Sequence, residues 1–407
     1  MAHIEDRWYK ETIGSDGKKK REKTSLYGKG LRYRVRYIDP TGKERGKSFP
    51  DKEKHEAEDF LISVENAKRA RTYIDPDAGK IGFSDYGRMY LDHRGNDAST
   101  EETTGSRFKN HMIPFFGNRP IKSVKPEVIN EWNQWMTDQG YSETTKAVSF
   151  VTLKSIFATA VENERIAKNP CNAKTVIVPK QRDKKVIPWP RKAVLAVRAG
   201  LLPRYRTMVD VAAGCGARQG EVFGLGLDDI DFDARELHIR RQIKRIDSKL
   251  VFGLPKNDKE RTVPLPDSVA RALKLHMEEF PPVVVTLPWE DPEAKKQATV
   301  PVIFTDSRFG GIHRCTFSQK HWNRALRRAG VEACRDNGMH ALRHYYASVL
   351  IDAGESIKVV SVNLGHRNPA FTWRTYVHLI PGNEDRTRQA VDRLAEDDKP
   401  SDGLGTA

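Results

Sequence analysis

The chain has 407 residues, and its 70 Lys and Arg against 55 Asp and Glu give a formal charge of +15 and a pI of about 9.5. Its mean hydropathy is −0.65, and no apolar run approaches the roughly 18 residues that a bilayer-spanning helix needs, so a membrane protein is excluded in favour of a soluble chain of several domains. Four widely spaced cysteines with no Cys-x-x-Cys pair exclude a disulfide scaffold and a zinc ribbon, and the cation surplus points to a polyanionic partner, nucleic acid first.

The charge is concentrated near the N-terminus, where residues 18–47 hold twelve Lys or Arg and three acids. Within them Leu31-Arg32-Tyr33-Arg34-Val35-Arg36-Tyr37 alternates strictly. That pattern predicts a strand with Leu31, Tyr33, Val35 and Tyr37 inside and three arginines outside. Asp39-Pro40-Thr41-Gly42 is a turn signal, Lys43 to Phe49 reads as the returning strand, and Asp51 is placed to cap a helix over about 52–71 with Ala57, Phe60, Leu61 and Val64 on its apolar stripe. Residues 1–75 thus form a small three-stranded sheet backed by one helix. Arg32, Arg34, Arg36, Lys43 and Arg45 are its candidate DNA contacts, although a solvated charged face has the same pattern.

Tyr73 to Gly82 reads as a linker, and residues 82–178 as an all-helical domain. Phe83, Tyr86 and Tyr90 have helix spacing. Pro126 opens a helix carrying Ile129, Trp132 and Met136. Ser142 caps another with Phe150, Leu153, Phe157 and Val161 on one face, and Asn169-Pro170 ends it. A basic, proline-rich stretch at 179–190 marks a second linker. The third domain, 186–397, mixes helices with a short antiparallel sheet from Glu236–Arg241, Leu250–Leu254 and Arg261–Leu265. Residues 280–300 read as a long loop, 385–395 as a helix that docks on a neighbouring protomer or caps its own chain, and 398–407 as a disordered tail.

Several chemistries lack support. There is no Gly-x-x-x-x-Gly-Lys-Ser/Thr loop, no His-Glu-x-x-His and no carboxylate cluster of the two-metal kind, so any chemistry on nucleic acid falls to side chains. The C-terminal half supplies them. His340 and Arg343 lie three apart, hence on one helix face. Leu364-Gly365-His366 closes the next helix, and Tyr376 follows ten residues later. Upstream, Gly216-Ala217-Arg218-Gln219-Gly220-Glu221 sets an arginine at a turn entering a helix, and Pro255-Lys256 opens a hairpin turn. Taken singly, each is an ordinary surface pair, helix end or salt bridge. The ordered combination is not.

That combination resembles the tyrosine recombinases, the phage integrase family, over about residues 200–380. The helical segment is similar to the family's SAM-like core-site-binding domain. The basic sheet-plus-helix is similar to the arm-site-binding domain of three-domain integrases of actinobacterial phages and integrative elements. The resemblance implies a multidomain α+β chain whose catalytic domain, mainly α with a small antiparallel sheet, has the DNA breaking–rejoining fold. It also implies a site-specific recombinase that uses no metal, ATP or other cofactor. Tyr376 would attack a phosphodiester and form a 3′-phosphotyrosine. Arg218 and Arg343 would grip the phosphate, Lys256 would protonate the leaving 5′-oxygen, His340 would take or shuttle the phenolic proton, and His366 would hydrogen-bond the phosphate, with Glu221 orienting Arg218.

Lys259 competes with Lys256, and Tyr345 and Tyr346 compete with Tyr376, while Trp373 and His378 read as packing beside the nucleophile. The implied partners are double-stranded core and arm attachment sites, a homotetramer assembled on DNA, an excisionase and a host DNA-bending protein. The implied location is the bacterial nucleoid in the cytoplasm. The alternatives are a catalytically silent DNA-binding regulator of the same fold and a type IB topoisomerase-like enzyme.

Overall fold

In the computed structural model the described residues are 2–13, 19–70, 72–93, 95, 97–181, 185–256, 259–380, 388–389 and 391–392. They fall into two compact units, residues 1–95 with 103–182 and residues 96–102 with 183–407.

The first unit begins with an antiparallel sheet of strand order His3–Asp6, Tyr33–Ile38, Glu44–Phe49. Alternation sends Tyr33, Val35 and Tyr37 inward beside Phe49, and the helix Lys54–Arg69 covers them with Ala57 and Val64. The edges differ from the sequence expectation. Leu31 precedes the strand and is 42% exposed. Asp51 caps nothing: the helix begins after Glu53, and Asp51 instead accepts a hydrogen bond from Arg32 at 2.5 Å. A further hairpin, Tyr9–Ile13 with Lys19–Lys23, has no apolar period to announce it, because its second strand reads Lys-Lys-Arg-Glu-Lys and is exposed throughout.

The helical part of this unit has its own core. Phe83, Tyr86 and Tyr90 from the helix Phe83–Asp92 meet Ile129, Trp132 and Met136 from Pro126–Asp138 and Phe150, Leu153 and Phe157 from Glu143–Glu162. Ser142 caps the last helix by accepting from the Thr145 amide at 3.2 Å. Gly87 stands mid-helix because a Cβ there would lie 2.1 Å from the Phe108 ring.

In the second unit the helix Pro203–Cys215 is central, with Arg191–Gly200, Asp267–Glu279 and His340–Asp352 packed around it. The expected single sheet is in fact separate pieces. Arg261–Pro264, Glu236–Ile239 and Ile230–Asp231 form one, and Gln242–Ile246 with Lys249–Gly253 form a hairpin. The expected loop at 280–300 contains another hairpin, Val283–Pro288 with Gln297–Val302. Prolines at 281, 282, 288 and 301 masked it, yet they lie at strand ends and on an edge, where a missing N–H is tolerated. The expected helix at 385–395 and the tail at 398–407 lie almost wholly outside the described residues.

Phe157 is fully buried, so Phe157→Ala is expected to cost about 3–5 kcal/mol. Amide hydrogen exchange in Pro126–Asp138 and Glu143–Glu162 should accelerate accordingly, with the second unit unchanged.

Candidate active site

The site is built on one helix end. The helix Ile357–Leu364, capped at its start by Ser356, terminates at Gly365, whose φ of +60° is the left-handed conformation suited to glycine. A terminating helix leaves its last carbonyls without intrahelical donors and carries partial negative charge. Three successive carbonyls here each receive a different guanidinium. Asn363 O accepts from Arg261 Nε at 2.9 Å, Leu364 O accepts from Arg343 Nη2, and Gly365 O accepts from Arg218 Nη2 at 3.4 Å.

A second helix end supplies the other hold on Arg343. Pro203–Cys215 stops at Gly216, again left-handed at φ +65°, and Gly216 O accepts from Arg343 Nη1 at 2.7 Å. Tyr346 occupies the space a Gly216 side chain would need, its ring 2.5 Å from an ideal Cβ. Arg343 is 1% exposed. Burial pushes its pKa down, and Arg218 and Arg261 push it further, to about 9; the guanidinium is therefore still charged at neutral pH.

Glu221 is the counter-charge. Its Oε1 accepts from Arg218 Nη1 at 2.8 Å and Arg261 Nη1 at 2.9 Å, and its Oε2 accepts from Arg261 Nη2 at 2.6 Å and the Arg218 amide at 2.7 Å. Burial opposes ionisation of Glu221, but the hydrogen bond and charge of Arg261, then the charge of Arg218, prevail and hold its pKa at about 2.

Tyr376 closes the helix Pro369–Tyr376 and is 1% exposed. Its hydroxyl lies 2.7 Å from His344 Nδ1. Burial raises the phenol to about 12, although the Arg343 charge acts in the opposite direction. The imidazole beside the phenol is thus His344, next to Arg343, and not His340. His340 lies one turn earlier, its ring centroid 4.6 Å from that of His344, with an open side to solvent. His366 is oriented through Nδ1 by the Thr372 hydroxyl at 2.8 Å. Loss of hydration comes first among the causes that lower His340, His344 and His366; the Arg343 charge adds to it in all of them, and the Arg218 charge in His340 and His366.

Arg218, Glu221, His340, Arg343, His366 and Tyr376 therefore converge. Lys256 is exposed at the margin, on the chain leaving the Lys249–Gly253 strand, and its charge reaches His340. Lys259 is also exposed. Tyr346 is core: Asn363 donates to its hydroxyl at 3.3 Å, and it packs with Ile351, Val360 and Leu364. Trp373, expected to pack, is 51% exposed. His378 is exposed and bonds Val186 O at 2.7 Å. Arg261, His344 and Thr372 escaped the sequence reading. His344 carried a usable signal, since it is four residues from His340 and so on the same face. Among the described residues, no group of three or more His, Cys, Asp or Glu could hold a metal ion.

The N-terminal candidates are arranged differently. Arg32 is held by Asp6 at 2.9 Å and Asp51, Arg36 by Glu5 at 2.8 Å and Glu44 at 2.9 Å, and Arg45 by Asp39, Asp75 and Asp77. Arg34 and Lys43 carry no ion pair among the described residues.

The histidines give a signed expectation for stability. Their folded pKa values lie below the unfolded value of about 6.5, so their contribution is complete above that pH and is lost as pH falls toward their folded values. The thermal midpoint of the DNA-free protein should fall between pH 6.5 and 4.5, and fall less in His344→Gln. A midpoint that rises over this interval contradicts the neutral imidazoles.

The chain is similar to known proteins over most of its length. The phage integrase family profile matches residues 196–382, and the phage integrase SAM-like domain profile matches residues 83–176. A tyrosine recombinase XerC-like protein of Caldanaerobacter subterraneus subsp. tengcongensis is 27% identical over 388 residues, covering 88% of this chain and 94% of its own. The integrase of Mycobacterium phage FRAT1 is 24% identical over 336 residues, covering 82% and 92%. The Tn1549 transposon integrase, solved in complex with a circular intermediate DNA, shares the fold at TM-score 0.64 and 20% identity, over 77% of this chain and 100% of that one. A lambda integrase tetramer bound to a Holliday junction does so at TM-score 0.54 and 18% identity, over 82% and 93%. The chain belongs to the tyrosine recombinases of the phage integrase family.

Proposed function

We propose that this site-specific DNA recombinase cuts and rejoins strands through Tyr376, and that His344 is the group that receives the phenolic proton. The observation that carries the reading is the Tyr376 hydroxyl 2.7 Å from His344, on the helix of the buried Arg343. A phenol at about 12 is a poor nucleophile at neutral pH without a base in contact. His344 is neutral there and able to accept.

In the proposed step the Tyr376 oxygen bonds to phosphorus, its proton passes to His344, and the bond to the 5′-oxygen breaks. Lys256 protonates that oxygen. One phosphodiester replaces another, so the energy of the broken bond is retained for rejoining and no nucleotide hydrolysis is required. Arg218 and Arg343 stabilise the charge gathering on the non-bridging oxygens, and His366, fixed by Thr372, donates to one of them. His340, open to solvent beside His344, relays the proton outward. A silent DNA-binding regulator would not need this complete set. A topoisomerase-like enzyme would not need an additional basic N-terminal domain.

Residues 82–178 are proposed to bind the core site and residues 1–75 the arm site, with Arg34 and Lys43 as the cations of the original set left for phosphates. The Lys19–Lys23 strand adds further positive charge on the same domain. The solved lambda integrase tetramer on a Holliday junction supports a tetramer of this chain on DNA. Bridging arm and core sites in one complex calls for bent DNA, hence a host bending protein and an excisionase as partners, acting in the bacterial nucleoid. No described helix is long and apolar enough to cross a membrane.

With attachment-site DNA in EDTA, the wild type is expected to form a covalent protein–DNA complex on a denaturing gel and Tyr376→Phe none. His344→Ala should slow formation by about 10²–10⁴-fold and His340→Ala by less. Equal losses at the two histidines would contradict the proton assignment. In the full chain, Arg34→Gln with Lys43→Gln should weaken arm-site binding and flatten its salt dependence by roughly two charges, with core cleavage unchanged.

A further inference from the structure

Arg261 lies outside the set of residues assigned to the reaction, yet its side chain makes more hydrogen bonds than that of Arg218 or Arg343. Its side chain is 6% exposed. It makes two hydrogen bonds to Glu221 and one to Asn363 O, and a Cβ on Gly365 would lie 3.0 Å from its Cδ. It begins the strand Arg261–Pro264, five residues after Lys256. It therefore joins the chain that carries Lys256 to the turn that carries Arg218 and to the helix end that precedes His366.

The charge arrangement suggests why a guanidinium is there. Glu221 Oε1 is shared by Arg218 and Arg261. With both arginines present, the carboxylate is more than neutralised, and Arg218 keeps surplus positive charge for a phosphate. With Arg261 absent, Glu221 would pair with Arg218 alone and cancel it. We propose that Arg261 is a positioning residue that acts through Glu221: it occupies the carboxylate so that Arg218 remains electrostatically available to the scissile phosphate. The inference rests on Arg218 being a phosphate-binding group.

This arrangement makes a non-additive prediction. Removing Arg261 leaves Glu221 free to quench Arg218, so removing the Glu221 charge as well should restore part of the loss. A role limited to packing predicts that the two losses multiply. R261K keeps the charge without the planar fork and should retain more activity than R261M.

The experiment measures single-turnover covalent-complex formation on nicked core-site DNA for full-length wild type, R261M, R261K, E221Q and R261M/E221Q, with non-covalent DNA affinity and thermal midpoint for each. The expected result is a loss of about 10-fold or more in R261M, short of or comparable to the 10²–10³-fold typical of a direct transition-state donor, with DNA affinity within about threefold of wild type. The double variant should be faster than R261M, and R261K should lie between R261M and wild type. R261M at wild-type speed, or a double variant as slow as the product of the single losses, would overturn the proposal. Should R261M not fold, R261K decides: loss of all cleavage in a folded R261K overturns it, and substantial retention supports it. Arg218→Ala in parallel separates the two levels of inference. If Arg218→Ala cleaves normally, the phosphate-binding reading fails; if it is crippled while R261M is normal, only the Arg261 proposal fails.

Discussion

Three guanidiniums cannot share a small, partly buried volume unless something holds them against their mutual repulsion, and the rest of the catalytic unit is arranged around that requirement. Arg218 and Arg261 both push the ionisation of Arg343 downward, which is the signature of like charges crowded together. The opposing hold comes from carbonyls 363, 364 and 365 at one helix end, from Gly216 O at another, and from the buried Glu221. The donors are thereby oriented before any anion arrives, which is the condition under which fixed dipoles and charges lower a barrier effectively. A bound phosphate would complete the charge balance. The same arrangement makes the site costly to the free protein, as functional sites commonly are.

The proposed nucleophile obeys a different constraint. Tyr376 belongs to a small core with Tyr346, Ala347, Ile351, Val360 and Leu364, separate from the main core of its unit. Its ring is packed in that core while its hydroxyl reaches His344. Packing therefore keeps the phenol protonated and in register, and on the proposed reading the imidazole takes its proton. On the proposed reading, positioning and deprotonation both fall to neighbouring residues of the same two helices, His340–Asp352 and Pro369–Tyr376.

Much of this was legible without coordinates. The Tyr33–Val35–Tyr37 stripe, the Ser142 cap and the aromatic faces of the helical domain follow from periodicity, because burial alternates with the geometry of the element. The order of Arg218, Glu221, Arg343, His366 and Tyr376 carried the site. What stayed hidden were pairings between distant parts of the chain. Arg261 looks like an ordinary strand residue until Glu221, forty positions upstream, is brought against it. The Tyr9–Ile13 hairpin and the Val283–Pro288 hairpin lacked an apolar period or were obscured by proline. Nor could alternation reveal that the outward Arg32, Arg36 and Arg45 all meet carboxylates contributed by other segments.

The most direct test of the account is chemical identification of the protein–DNA bond. Wild-type protein is trapped on attachment-site DNA carrying a nick, digested with trypsin and nuclease, and the nucleotide-bearing peptide is sequenced by mass spectrometry. The expected product is a nucleotide phosphate esterified to Tyr376, in the peptide that begins at Thr375. A phosphate carried by Tyr345 or Tyr346, or by a side chain other than a tyrosine, would contradict it.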